Sequence, residues 1–586
     1  MLNEPHNKRI IIFGLIVFAV AFIIYLPTIW NRFVWDDIQL ITHPLNLGKN
    51  PYSFFLGGGI YYRPFLHLSM AIDYSFWHLN PMGYHLTNVL LHSIASLLVF
   101  LTGLLIIRKK SVNDEFENKN KRIILPALLS AIIFAIHPIH TESVAWISGR
   151  TDILSTIFLL LAFLSFLIYS KESKFSGLIL TCIFFLFSLF SKENAFSLIL
   201  IILIYSLLID MPRKKIALSL SSLSLVIIIY FILRQSKVIN MMISSPGTEN
   251  AFFSADIQIK NIFSILMGAI GYYFQKLLLP LNLNLLPDIP KNPLIFLIGF
   301  SPFLLAIILY FKRHNFVFFL ISWIILTLLP SLFILVSQIG SPIGERYLYL
   351  PSVGFCILAG FLFSKISNKK LLFTSFAIIA ISGSFLTYER IKVWENDLTL
   401  WKDTVSKSPS SAIAHANYGR ALLEKNDFEQ GRKELLIALQ QKKISAELVS
   451  IIMDMLGVVE MRDKNYQKAE SYFKESLKAY SKNVTALSNF GILYLRMSES
   501  IKNEEEKKSV IEKAISNIEK ALSISPGFIQ ARFNLGLCYL QIKEYDKAQK
   551  YFESVIELDP RSSLSNEAMQ LLLITEFAKR NIPIGK

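Results

Sequence analysis

Long uncharged apolar stretches recur along the first two thirds of this sequence, and such stretches exclude an ordinary water-soluble fold for that part of the chain. The first runs from Ile10 to Trp30, and others follow at approximately 84–107, 123–140, 152–170, 175–190, 194–209, 215–233, 258–280, 293–311, 316–336, 346–365 and 371–388, twelve candidate spans in all. Each is near the length of about 20 residues that a helix needs to cross a hydrocarbon core. With 53% hydrophobic and 17% charged residues in a chain of 586, the apolar surplus has to face lipid. The charged residues crowd after about residue 390, so the chain divides there into two parts with different solvents.

The net charge of +16 would suggest nucleic acid in a soluble protein. Here the basic clusters Lys8-Arg9, Arg108-Lys109-Lys110 and Arg213-Lys214-Lys215 sit in short loops between apolar stretches, as cytoplasmic loops of membrane proteins do. No nucleic-acid partner is expected. No small-residue cleavage site follows Ile10–Trp30, so it reads as a retained span with the N-terminus in the cytoplasm. The stretch 31–82 is too polar for lipid and reads as an outer loop whose amphipathic piece, Phe65 to Leu79, lies on the membrane surface. Twelve crossings would leave the C-terminal part in the cytoplasm. If one segment between 215 and 280 fails to cross, eleven remain, and Lys312-Arg313 and Lys369-Lys370 also fall inside. The eleven-span arrangement is the expectation, with the C-terminal part outside.

Past Trp401 the period changes. Gly419, Gly457, Gly491 and Gly536 recur at spacings of 38, 34 and 45 residues, the last being 34 plus an eleven-residue insertion near 498–508. A period of 34 is the tetratricopeptide signature. Ala469 and Ala548 allow close helix approach, Phe473 and Phe552 fill the gap, Tyr494 and Tyr539 follow their glycines, and Pro526 and Pro560 end second helices. The unit around Gly419 is degenerate, with Gly431 and Leu435 where Ala and an aromatic are expected. The expected fold is all-α: a polytopic membrane bundle over 1–390, a linker or capping helix over 391–411, about four repeats over 412–570 and a tail over 571–586.

Ionisable groups gather at the outer ends of the apolar stretches, where they are costly unless used. Asp36 and Asp37 follow the first span. Downstream stand Arg63, His85, the run His137-Pro138-Ile139-His140-Thr141-Glu142, Arg150, Lys192 and the pair Glu345-Arg346. Seven of the ten histidines fall between His43 and His140. Interhelical hydrogen bonding explains a single buried histidine as readily as ligation does. His137, His140 and Glu142 lack the helical His-Glu-x-x-His register of a zinc site because Pro138 breaks the helix. Cys182, Cys356 and Cys538 have neither metal-ligand nor disulfide spacing. No metal site is expected.

Taken together and in order, Trp-Asp-Asp after the first span, Tyr62-Arg63-Pro64, His137 to Glu142, Gly149-Arg150-Thr151-Asp152, Ser191-Lys192-Glu193-Asn194, Glu345 to Ser352 and then the repeats resemble the transmembrane and tetratricopeptide repeat-containing family of protein O-mannosyltransferases. The resemblance covers nearly the whole chain. It implies a polytopic C-type glycosyltransferase fold that moves a sugar from a polyprenyl-phosphate donor to an acceptor hydroxyl on the non-cytoplasmic face, with inversion. It further implies Asp36 as general base and Asp37 as its assistant or as orienter of the acceptor. Arg346 would take the donor phosphate, Arg150, Arg63 and Lys192 sugar or phosphate, and Glu345, His137, His140, Glu142 and His85 would line the cavity. No cofactor is required beyond the lipid-linked donor, since protein cations could suffice for its phosphodiester, while dependence on a divalent metal stays open; the repeats would engage a polypeptide acceptor or protein partner. A lipid-linked glycan ligase or polymerase, and a transporter or scaffold, are the competing readings. The bundle halves carry no mutual repeat of the kind transporters show.

Overall fold

The computed structural model describes residues 5–42, 62–110, 116–244, 262–290, 292–337, 343–442, 444–560 and 562–579. His43, much of the expected outer loop, and the end of the expected tail lie outside the described residues. Every described element is helical. In chain order the first unit contains α1 (Pro5–Tyr25), α2 (Asp37–Thr42), α3 (Pro64–Trp77), α4 (Pro81–Lys110), α5 (Phe116–Ile136), α6 (Thr141–Ala145), α7 (Arg150–Glu172) and α8 (Phe175–Leu189). It continues with α9 (Ser197–Leu208), α10 (Arg213–Ser244), α11 (Ile262–Leu278), α12 (Pro293–Phe311), α13 (Asn315–Ser337), α14 (Pro351–Phe363), α15 (Lys369–Val393) and α16 (Asp397–Lys407).

Each of the twelve apolar stretches forms a helix. Among the described residues seven helices are long and apolar enough to span a membrane, and an eighth candidate is the bent pair Ile123–Ile136 and Pro138–Ala145. Four more, α8, the stretch Glu193–Leu208 that includes α9, α11 and α14, are apolar but shorter. The bend is where Pro138 removes an amide donor and His137 turns extended. α7 is the central helix, with 72% of its apolar window buried, and it packs on α4 and α8. α12 and α15 are peripheral, at 11% each, and present Leu297, Phe311, Ile381 and Phe385 outward. Such an apolar exterior suits lipid.

Small residues bring some helices into direct contact. A side chain on Gly271 of α11 would collide with the carbonyl of Ile295 on α12, and one on Gly299 of α12 with the carbonyl of Met267. Two glycines facing across one crossing let backbones meet where lipid offers no hydrophobic drive to association.

The compact first unit extends to Pro409, well past the last apolar stretch. The reason is local. Arg32 donates its amide to the carbonyl of Glu395 at 2.8 Å, Asn31 reaches the carbonyl of Ile391 at 3.5 Å, and Arg390 pairs with Asp403 at 2.7 Å. α1 and α15 therefore finish at the same end of the bundle.

The second unit begins at Ser410 and holds the helical hairpins α17 (Ala412–Glu424) with α18 (Phe428–Leu439), α19 (Ala446–Arg462) with α20 (Tyr466–Ala479), α21 (Val484–Ser498) with α22 (Glu504–Ile524), and α23 (Ile529–Gln541) with α24 (Tyr545–Leu558), followed by α25 (Ser563–Lys579). Ser411, Ser445, Asn483 and Asn503 cap the first helix of a hairpin or, for Asn503, the lengthened second one. The degenerate first unit still closes, with Leu435 packed over Gly419. The insertion does not form a loop of its own: α22 has 21 residues against 14 in α20 and α24.

Candidate functional site

α1 ends in a 3-10 turn over Leu26–Trp30, and the chain then extends to Val34 before Trp35 turns left-handed at φ 57°. That reversal puts Asp36 and Asp37 back under the end of the bundle. Their carboxylates are used differently. Asp37 is fully buried and accepts the amide of Val34 at 3.1 Å, the amide of Ser148 at 2.9 Å and the Ser148 hydroxyl at 2.7 Å. Asp36 lies beside the Ser148 hydroxyl and the Trp146 indole and within electrostatic reach of Arg346, and its Oδ1 is buried without a hydrogen-bond partner.

Burial raises the Asp36 carboxyl above the usual carboxylate range, and Arg346 opposes the rise. Burial and the neighbouring Asp36 charge push Asp37 up to about 7, against its three donors. Adjacent carboxylates titrate as a pair, so the pair holds its first proton at a higher pH than a solvated aspartate does.

The cations predicted from sequence are present at the same end, each in the hands of a carboxylate. Arg346 gives its amide to Glu142 at 2.9 Å and its guanidinium to the same carboxylate, and lies over the Trp146 and Tyr347 rings at 5.6 and 4.9 Å. Lys192 sits in the break between α8 and α9, bonds both oxygens of Asp152 at 2.6 and 2.7 Å, and approaches the Tyr347 ring at 5.1 Å. One tyrosine ring thus gathers two cations. Arg63 pairs with Glu193 at 2.9 Å and acts electrostatically on Lys192 and Asp152. The tight turn that sets Glu142 beside Ser148 depends on Gly149, where any side chain would meet the carbonyls of Glu142 and Ser143.

Other expected residues brace the site. Arg150 is fully buried and bonds Asn88 at 2.6 Å, Ser69 at 3.2 Å, Asp73 at 2.6 Å and the Tyr84 carbonyl at 3.0 Å. These bonds tie α3, α4 and α7 together. Glu345 turns away from its neighbour Arg346 to accept the Asn284 amide at 2.6 Å and the Tyr272 hydroxyl at 3.2 Å, with Arg390 at 3.9 Å. His85 is buried against the backbone of Asn31 and Arg32. His140 is also fully buried, between the Phe134 carbonyl at 2.9 Å and Ser352 at 2.7 Å.

His137 donates to the Leu277 carbonyl at 3.1 Å and borders an apolar cavity of about 780 Å³ walled by Ile136, Leu281, Phe355, Leu362 and Leu386. Ser148, Trp146 and Tyr347 were missed as site residues; Tyr347 lies inside a quoted motif, Trp146 and Ser148 fall between Glu142 and Gly149, and nothing in the spacing assigns any of them a contact.

A polytopic helical membrane protein with a tetratricopeptide array is the class that this architecture defines. Tetratricopeptide-repeat family models match residues 419–484 and 529–562. The chain is 24% identical, over an alignment of 579 positions that covers 88% of it, to mouse protein O-mannosyl-transferase TMTC3, and 27% identical, over an alignment of 456 positions that covers 70% of it, to the Caenorhabditis elegans protein O-mannosyl-transferase F38B6.6. A shorter region of 180 residues, 28% of the chain and 19% of the relative, is 34% identical to Drosophila melanogaster Tmtc1. Over most of its length the chain is thus similar to TMTC protein O-mannosyl-transferases. It spans 60% and 59% of the length of the mouse and worm relatives.

Removing one partner of a buried ion pair strands the other charge, typically at about 3–5 kcal/mol, whereas replacing both by apolar groups is often nearly neutral. Asp73→Leu alone is expected to lower the thermal midpoint strongly, and Asp73→Leu with Arg150→Met to recover much of the loss. A single substitution with no effect on the midpoint would show that Arg150 is not a brace.

Proposed function

We propose that this chain is a membrane glycosyltransferase that moves a sugar from a polyprenyl-phosphate donor to an acceptor hydroxyl, with Asp36 as general base. The names of the relatives support the class of reaction. One observation carries the assignment of the base: of two adjacent carboxylates, Asp37 is consumed by three donors while Asp36 keeps a buried oxygen without a partner. Asp36 takes the proton of the acceptor hydroxyl as its oxygen attacks the anomeric carbon, and the bond from that carbon to the phosphate oxygen breaks on the opposite face, inverting the centre. The proton ends on Asp36 and the electron pair on the polyprenyl phosphate. Arg346 and Lys192, gathered on Tyr347, are the groups that stabilise this leaving charge, exchanging part of their carboxylate contacts for phosphate oxygens. Arg63 extends the positive edge. Divalent metal is not required in this scheme.

The site faces the non-cytoplasmic side in this reading. α10 starts at Arg213 and brings Tyr230 against Tyr62 and Phe190, at the end where Asp36 lies. α11 also finishes there, with Tyr272 on Glu345. Two successive helices with the same finish remove one crossing. The crossing helices are then α1, α4, α5, α7 to α10 and α12 to α15, which keeps the basic loops on the opposite side from Asp36. In this topology the repeats are non-cytoplasmic, and a polypeptide whose Ser or Thr is the acceptor is their proposed partner.

Incubation with a panel of radiolabelled polyprenyl-phosphate sugars and a Ser/Thr-rich peptide tests the chemistry. Wild-type transfer is expected from at least one donor, with Asp36→Asn lower by at least about 10²-fold, the scale of general-base catalysis. Because the base works ionised and burial raises its pKa, the rate should climb with pH through a limb above the usual carboxylate range. Equal activity of the two proteins would remove the base assignment. For the topology, a tag after Lys586 is expected to react with an impermeant reagent in intact cells, and full protection would contradict it.

A further inference from the structure

The segment between the last span and the repeats reads from sequence as a linker or capping helix, and three of its residues grip the loop that carries Asp36. The Asp397 carboxylate accepts the Trp35 amide at 2.8 Å, one residue before Asp36. Trp401, one turn further along α16, meets the Trp35 ring edge-on at 5.8 Å, and Trp146 stacks on it at 5.0 Å. Glu395 accepts the Arg32 amide. α16 is itself fixed at its start by a reciprocal cap, Asn396 accepting the Thr399 amide and the Thr399 hydroxyl accepting that of Asn396. That cap sets Asp397 in the first turn of the helix.

Trp35 needs this grip. A left-handed backbone is costly for a residue with a bulky side chain and persists only where its surroundings over-determine it. If Trp35 relaxed to an ordinary conformation, the chain direction at Asp36 would change, and its buried oxygen would turn toward water. The Val34–Asp37 bonds close the turn at its two ends, and Asp397 adds a hold on the amide of Trp35 inside it.

Resting on the assignment of Asp36 as base, we infer that Asp397 is a positioning residue for the transfer reaction: through Trp35 it holds the Asp36 carboxylate buried and aimed at the acceptor. Asp397 touches neither donor nor acceptor. The device also means that the chain entering the repeats begins as part of the catalytic loop's mounting.

The test compares full-length wild type, Asp36→Asn, Asp397→Ala and Asp397→Asn with polyprenyl-phosphate mannose and a Ser/Thr-rich peptide, recording kcat, donor KM and the pH profile. Asp397→Ala is expected to lose at least about tenfold in kcat with donor KM within about twofold, and its ascending limb to move to lower pH as water reaches Asp36. Asp397→Asn keeps an acceptor oxygen for the Trp35 amide and should retain most of kcat. Trp401→Leu, which loosens the ring from the other side, should show the same loss of kcat and the same shift of the limb, and it carries the test if Asp397→Ala folds poorly. Wild-type kcat and an unmoved limb in both Asp397→Ala and Trp401→Leu, while Asp36→Asn is inactive, would overturn the positioning role alone. An active Asp36→Asn would instead overturn the base on which it rests, as would absence of wild-type transfer.

Discussion

The end of the bundle is organised by the buried carboxylate of Asp37. It bonds its own loop at Val34 and the turn before α7 at Ser148, joining the exit of the first span to the most buried helix of the unit. An uncompensated charge there would be costly, and three donors compensate it. The constraint spreads outward. Ser148 lies in the turn that also presents Glu142, Glu142 holds Arg346, and Arg346 shares Tyr347 with Lys192. Moving the first loop would therefore disturb residues more than three hundred positions away in sequence.

Charge at this end is managed pair by pair. Arg63 with Glu193, Arg150 with Asp73, Lys192 with Asp152 and Arg346 with Glu142 leave no cation of the set without an acid. Such pairs fix position more than they add stability, since desolvation offsets most of their attraction. The sorting is informative: Arg150, consumed by four bonds, braces helices, while Arg346 and Lys192 are each held by one carboxylate and rest on one ring, and these two are the cations that the proposed reaction assigns to the phosphate.

The helical architecture was legible because its causes are periodic. Uncharged runs, proline at 138 and glycines near a 34-residue period each have a local physical meaning, and all twelve apolar stretches form helices. The site was legible only as an inventory. Sequence places acids and bases at the ends of apolar stretches, but pairing between Arg150 and Asp73, or between Trp35 and Asp397, is decided by which helix ends meet. That is why Glu345, adjacent to Arg346, turns out to serve a different neighbourhood, and why Asp397 carries no signal beyond that of a helix-starting acid. The histidines illustrate the same limit: their density marks a region of the sequence, and only the packing shows that His85, His92 and His140 are buried among helices.

A structure with a non-transferable polyprenyl-phosphonate sugar bound would test the central claim most directly. The account predicts phosphonate oxygens within hydrogen-bonding distance of Arg346 or Lys192, with the anomeric carbon turned toward Asp36. A phosphonate seated away from both cations, or an anomeric carbon on the far side of the headgroup from Asp36, would contradict it.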